Sequence, residues 1–327
     1  MSLFPPVPQV ILTHLQEDSS FIVIGHKSPD GDCISSELGM EFLLKALGKQ
    51  VLLANAGPFE RQEIQSLRGR FADHIPEAYL AERPTVVVVD CSTSDRIGSL
   101  YEQVKDLHVI VIDHHASGTR WGQDLYIVPD SPSTTLLVQH LFETLQVAIP
   151  EEAAKRLFFG FATDTGFFRF LQVHQAEALD SVSCLVAEGV SPNQVYMQIN
   201  GGKSLSFIKY LGILIDRAEP YLDGKVMVTY TWLKDKETFH CDKPSDLFYS
   251  QMLSIAGVQA VALFKEKEDG TVEAGLRASH DSTIDVGRIA ASFGGGGHVH
   301  ASGFTVKGDL FTIRDNFLRQ VELLLKN

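Results

Sequence analysis

Short runs of β-branched residues, each ending on an acid or a histidine, constrain this chain most. Phe21-Ile-Val-Ile-Gly-His26, Thr85-Val-Val-Val-Val-Asp90 and His108-Val-Ile-Val-Ile-Asp113 carry almost no polar residue in their interiors. A strand without polar alternation is buried on both faces, the condition of a parallel sheet covered by crossover helices. Helical patterns separate the runs accordingly: Asp32 to Leu47, closed by Gly48, and a stretch near Ile97–Leu107. Gln50–Ala54 reads as a further strand, and helical patterns dominate Ser133 to about Ile199, including Glu151–Ala162 and His174–Ala187. The expected class is α/β, with an N-terminal doubly wound, mainly parallel sheet.

The texture changes after Asn200-Gly201-Gly202. A helix over Ser204–Ala218 precedes a hairpin signal, Tyr221-Leu222 and Lys225–Thr231 about the turn Asp223-Gly224. A second hairpin, Val258–Lys265 and Thr271–Ala278, turns at Glu268-Asp269-Gly270. A helix (Ile284–Phe293), a glycine cluster and a last helix (Leu310–Leu325) follow. The expected division is a catalytic domain over 1–195, a linker helix over 196–216 and a smaller α/β domain over 217–327. Two domains suit 327 residues, because single cores stop growing at about 250–300.

Charge narrows the substrate. There are 28 Lys+Arg against 41 Asp+Glu, a formal net charge of −13, which opposes binding of long nucleic acid. A short anionic substrate stays open, since divalent cations invert the sign of a local site. Four scattered cysteines (Cys33, Cys91, Cys184, Cys241) form no CxxC pair and fit a reducing compartment. Met1 to Gln16 has no Lys or Arg ahead of its apolar residues, unlike a signal peptide, and no run approaches the ~20 apolar residues of a membrane span. The expected setting is the cytoplasm, with no membrane partner.

In an open parallel sheet, ligands bind beyond the carboxyl ends of the strands. Here those ends deliver His26, Asp30, Asp32, Asp90, Asp113, His114 and His115 to one rim, and Asp164 follows a predicted helix in Thr163-Asp-Thr-Gly166. Singly, each has a plainer reading: Pro29-Asp30-Gly31 as a turn, Asp90 as a helix cap, the His pair as structural. Jointly, in one topological position, they point to metal. Mixed imidazole and carboxylate donors suit Mn²⁺, with Mg²⁺, Co²⁺ or Zn²⁺ also accommodated. So many carboxylates suggest two cations sharing an acid, as in phosphoryl displacement.

These residues resemble a known family. Gly25-His26-x-x-Pro-Asp30-Gly-Asp32, Asp90, Asp113-His114-His115 and Asp164 are similar to the motifs of the DHH phosphoesterase superfamily. Gly294-Gly-Gly-Gly297-His298-x-x-Ala301-Ser302-Gly303 resembles the signature of its DHHA1 domain, and the likeness runs from about residue 20 to 306. Length and domain content resemble the nanoRNase/pAp-phosphatase group, which hydrolyses very short oligoribonucleotides and adenosine 3′,5′-bisphosphate (pAp). The resemblance implies an active site in the interdomain cleft. It implies one metal on His26, Asp30 and Asp90 and another on Asp32, Asp90, His114 and Asp164. His115 would contact the scissile phosphate and help protonate the leaving oxygen, with Asp113 orienting the histidines. Cys33 and Cys91 depart from the small residues expected there, yet displace no ligand.

Two cations would lower the pKa of a bridging water enough to give hydroxide near neutral pH, which attacks phosphorus in line with the departing ribose oxygen. Arg277, Ser279, Gly295, Gly296, Gly297 and His298 are the candidate substrate grip in the second domain, and Arg96 a further phosphate contact. A flexible loop and a solvated arginine are the plainer readings there. The aromatic run Phe158-Phe159-Gly-Phe161 with Phe167-Phe168-Arg169-Phe170 reads as core ahead of base stacking. The alternative function is hydrolysis of cyclic or linear dinucleotides (c-di-AMP or pApA). Further down are a RecJ-type DNA exonuclease, an inorganic pyrophosphatase and a non-catalytic nucleotide-binding module. A homodimer is compatible with this reading, and long nucleic acid is not a partner.

Overall fold

The strands read from the sequence form at Ser20–Ile24 (β1), Gln50–Ala54 (β2), Thr85–Val89 (β3) and Val109–Asp113 (β4). A fifth, Asp124–Ile127 (β5), joins them in the order β2-β1-β3-β4-β5, with every pairing parallel. The sequence reading missed β5 because it is a four-residue edge strand with only Tyr126 buried. The computed structural model describes residues 3–240 and 244–325, so Cys241 lies outside the described residues. Two compact units, Met1–Gly202 and Lys203–Asn327, each hold their own sheet and cores.

Side chains alternate across the first sheet with the two-residue period of a strand. Phe21, Val23, Val87, Val89, Ile110 and Ile112 pack with the helices Gly31–Ala46, Thr134–Thr144 and Glu151–Asp164. Ile22, Ile24, Val86, Val88, Val109 and Val111 pack on the other face with Ile97, Leu100 and Val104. Both layers are apolar, which is why the strands show no polar alternation. Strand order reverses between β1 and β3, and at such a switch point the carboxyl ends diverge and open a crevice.

The second unit carries Glu219–Tyr221 (β6), Val226–Thr231 (β7), Ala260–Glu266 (β8), Thr271–Ala278 (β9), Gly296–His298 (β10) and Ala301–Lys307 (β11), ordered β10-β11-β9-β8-β7-β6. Both expected hairpins form, β6/β7 and β8/β9, and β7 and β8 run parallel. The glycine cluster is neither free loop nor helix start: it enters β10, an edge strand folded back on β11. Residues 196–216 comprise the end of one helix, Pro192–Asn200, and a separate helix, Leu205–Asp216. The latter's Tyr210, Leu211 and Leu214 belong to a core with Phe248, Tyr249 and Leu263. Among the described residues, no helix is long and apolar enough to cross a membrane.

Candidate metal centre

The rim over the β1/β3 switch is built from side chains whose outer atoms are already committed. His26 follows β1 and is buried; its Nδ1 lies 2.9 Å from the Lys27 carbonyl, which only accepts, so Nδ1 carries the proton and Nε2 a lone pair. That Nε2 faces Asp90 Oδ2 at 3.5 Å and Asp30 Oδ1 at 3.8 Å. His114 repeats the device beyond β4: Nδ1 donates to the Ser131 carbonyl at 3.1 Å. Its Nε2 faces Asp164 at 3.5 Å, Asp90 at 3.6 Å and Asp32 at 4.0 Å. Hydrogen bonds from the far ring nitrogen fix the tautomer of metal-ligating histidines in this way.

The carboxylates are equally held. Asp32 accepts from the backbone N–H groups of Thr134 (2.7 Å) and Thr135 (3.0 Å) and from the Thr135 hydroxyl (2.8 Å), at the start of the helix Thr134–Thr144. Asp90 accepts from the Thr134 hydroxyl at 2.8 Å. Asp90 also has φ +61°, a left-handed backbone uncommon for a side-chain-bearing residue, at the step where β3 hands its chain to the rim. Asp30 both caps the helix Gly31–Ala46, accepting from Cys33 N–H at 3.1 Å, and reaches toward His26, so its plain and functional readings coexist. Asp164 ends the helix Glu151–Asp164. That helix approaches closely because Gly31 and Gly160 lack side chains: a Cβ would stand 2.3 Å from Thr163 Oγ1 at the first and 2.4 Å from Thr135 Cγ2 at the second.

Burial and mutual repulsion push these acids up: Asp32 is raised, Asp90 raised strongly, and Asp164 raised to about 7. Burial lowers His26 in spite of Asp30, keeping it neutral. Burial also opposes charge on His114, but Asp32, Asp90 and Asp164 together raise it. Acids that retain protons and an imidazole that attracts one describe a site short of positive charge. Divalent cations offset that deficit, so the donor set fits the expected metals. One donor atom each from Asp32, His114 and Asp164 lie within 4.8 Å of one another, as do atoms of His26, Cys33 and Asp90 and of Asp90, His114 and His115.

His115 is placed differently. Asp113 Oδ1 accepts from its Nδ1 at 2.8 Å and from its backbone N–H at 3.1 Å, and this hydrogen bond raises the imidazole. Burial pushes Asp113 up, but the bonds from His115 hold it below the usual carboxylate range. Arg96 lies near enough for its charge to lower both His26 and His115, and its carbonyl accepts from Lys27 N–H at 2.7 Å. Cys33 and Cys91 are buried with thiols pushed well up by burial, which opposes thiolate chemistry. Cys33 Sγ accepts from His26 N–H at 3.2 Å, and Gly25 makes room for it.

A cleft of about 360 Å³ opens beside the rim, lined by His114, His115, Asp164, Phe170, Gln172 and Gln175 among others. Phe158, Phe159 and Phe161 are core, whereas Phe170 is 45% exposed and lines the cleft. Sequence reasoning missed Ser131, Thr134, Thr135 and the buried Glu37–Asn55 pair (2.8 Å) behind His26. The signal available was Ser131-Pro-Ser-Thr-Thr135, a hydroxyl-rich run opening a helix.

In the second unit, Arg277 on β9 and His298 on β10 are both paired with Ala301 of β11, so the three share one sheet face. Arg277 lies over the Tyr249 ring at 4.9 Å and donates to its neighbour's carbonyl, Leu276, at 3.0 Å. Ser279 follows β9, its N–H donating to the Gln259 carbonyl at 3.0 Å. Gly295 and Gly297 serve strand approach: a Cβ would stand 2.2 Å from the Gly303 carbonyl at the first and 2.5 Å from the Ala301 carbonyl at the second. Gly296 has open space, and His298 is exposed.

Residues 20–161 match the model of the DHH family's N-terminal domain, and residues 225–327 match that of the DHHA1 domain. The chain therefore carries a DHH-family N-terminal domain followed by a DHHA1 domain. It is 28% identical over 283 residues to the bifunctional oligoribonuclease and PAP phosphatase NrnA of Thermus thermophilus, covering 86% of this chain and 83% of that protein. It is 25% identical over 301 residues to the cyclic-di-AMP phosphodiesterase GdpP of Geobacillus thermodenitrificans, covering 87% of this chain but 44% of the other. The fold is that of an exopolyphosphatase-related protein from Bacteroides fragilis, with TM-score 0.83, 23% identity and coverage of 98% and 99%.

Proposed function

We propose that this chain is a metal-dependent phosphoesterase that cleaves very short oligoribonucleotides to mononucleotides and dephosphorylates pAp. The observation that carries this reading is the convergence of Asp32, Asp90 and Asp164 with two histidines whose Nε2 lone pairs are left free. The likeness to oligoribonuclease/PAP phosphatases over 86% of the chain supports the substrate class. His26, Asp30 and Asp90 would hold one divalent cation and Asp32, Asp90, His114 and Asp164 another, with Mn²⁺ favoured by the mixed donors. When bound, such cations acidify water and neutralise charge on phosphoryl oxygens.

The chain's own residues do the rest. Thr134 and Thr135 hold Asp32 and Asp90 in place before substrate arrives, so little reorganisation accompanies reaction. Asp113 fixes His115 with Nδ1 protonated and raises its pKa, so that Nε2–H can give its proton to the leaving ribose oxygen. Arg96 supplies positive charge for a phosphate. The cleft has the volume of a nucleotide site, and Phe170 offers a face for one base. Arg277, Ser279, Gly295, Gly296, Gly297 and His298 bind a further phosphate. We place the enzyme in the cytoplasm, where thiols such as the free Cys33, Cys91 and Cys184 stay reduced.

The test is hydrolysis, with Mn²⁺, of pAp, RNA of 2 to about 20 nucleotides, c-di-AMP, pApA and single-stranded DNA. Turnover falling steeply with RNA length, together with pAp cleavage, is expected. Preference for c-di-AMP or for long DNA overturns the proposal.

A further inference from the structure

A second group of metal-type donors sits at the opposite end of the first sheet. His14 lies on the helix Gln9–Glu17, His108 immediately precedes β4, and Asp124 opens β5. His108 and His114 bracket β4, so this group is roughly 20 Å from the rim at about 3.3 Å per residue.

Both imidazoles converge on one oxygen. His108 Nε2 lies 2.7 Å and His14 Nε2 3.7 Å from Asp124 Oδ2, with the two rings 4.3 Å apart. Tetrahedral zinc with bonds of about 2.0–2.1 Å sets its donors roughly 3.3 Å apart, between these two values. His14 Nδ1 is already engaged with Asp18 Oδ2 at 2.9 Å, and that same oxygen accepts from the Thr85 hydroxyl at 2.5 Å. With Nδ1 engaged by Asp18, Nε2 is the His14 atom turned toward the Asp124 carboxylate, and one donor atom each of His14, His108 and Asp124 lies within 4.8 Å of the others. The Asp18–His14 bond is the carboxylate–histidine arrangement that orients metal ligands. Side-chain exposures of 28% (His14), 34% (His108) and 14% (Asp124) leave an entry path from solvent.

We propose that His14, His108 and Asp124 form a zinc site separate from the rim, with Asp18 and Thr85 orienting His14 and water completing the coordination. Two nitrogens and one carboxylate suit zinc or a similar borderline cation rather than magnesium or calcium.

The experiment counts zinc in chelator-stripped, full-length protein after equilibrium dialysis, using elemental analysis. His108→Gln and Asp124→Asn are each expected to bind one zinc fewer per chain than wild type. Both are expected to retain Mn²⁺-supported hydrolysis within about twofold. Asp18→Asn is expected to keep the ion at roughly 10–100-fold lower affinity. In an Asp90→Asn/His114→Gln background, where the rim is disarmed, one zinc is expected, and His108→Gln removes it. Equal zinc content with and without His108, or no zinc in the disarmed background, overturns the proposal.

Discussion

The rim of the first unit and the open strands of the second are built on opposite lines. At the rim, His26, Asp32 and Asp90 are each at most 4% exposed, and hydrogen bonds fix their atoms before any ligand arrives. On β9, β11 and β10, Arg277 is half-buried against Tyr249 and His298 is exposed. Dense like charge inside protein is tolerated only where cations or hydrogen bonds compensate it. An anion grip of the kind proposed for these strands can stay wet, because each of its contacts is modest and independent. Loss of a rim group is therefore expected to stop chemistry, and loss of a strand group to loosen binding.

The largest effects test the first half of that contrast. Asp90→Ala or His114→Ala is expected to lower kcat by about 10²–10³-fold or more while the chain remains folded by circular dichroism. Retention of a tenth of wild-type turnover breaks the assignment. His115→Ala is expected to cost roughly 10²-fold in kcat with metal content unchanged, if it serves the leaving oxygen as proposed. Asp113→Asn is expected to cost about 10–100-fold. It takes the negative charge from the acceptor that raises His115, so the alkaline fall of the kcat profile should move to lower pH. An unshifted alkaline limb excludes His115 as the acid.

The second half predicts a different kinetic signature. Arg277→Ala should raise KM for pAp about tenfold, the scale of one charge-assisted hydrogen bond, and leave kcat within about threefold. The reverse split would make β9 part of the chemistry. His298→Ala should show the same pattern more weakly, its side chain being exposed.

What could be read from sequence follows the same division. β1, β3 and β4 are wholly buried runs, and position alone sent His26, Asp90, Asp113, His114 and His115 to one edge. β5 escaped because a half-exposed edge strand carries no such run, and with it went Ser131 and the hydroxyls after it. The hold of Thr134 and Thr135 on Asp32 joins positions about a hundred residues apart, which no local pattern encodes. The glycine cluster was legible as a backbone requirement but not as β10, since a strand rich in glycine lacks the side chains by which strands are recognised. Phe170 parted from its aromatic neighbours only through the turn at Gly166, Phe167 and Phe168, all at positive φ.

The smallest effect separates the rim from an ordinary buried acid cluster. Asp164 titrates near 4 in an unfolded chain and at about 7 here, so between those values the folded state binds more protons. Stability of the chelator-treated protein should then fall as pH rises from about 4 to 7; raised Asp32 and Asp90 act in the same sense, and raised His114 extends the fall above about 6.5. His26, lowered by burial, opposes them as a single group. Saturating Mn²⁺ binds the deprotonated carboxylates, so the slope of Tm against pH should turn positive over the same interval. Asp164→Asn should flatten the metal-free slope, whereas Arg277→Ala should leave it untouched. Parallel slopes with and without Mn²⁺ would mean that the raised carboxyls are structural and that the rim is not where the cations bind.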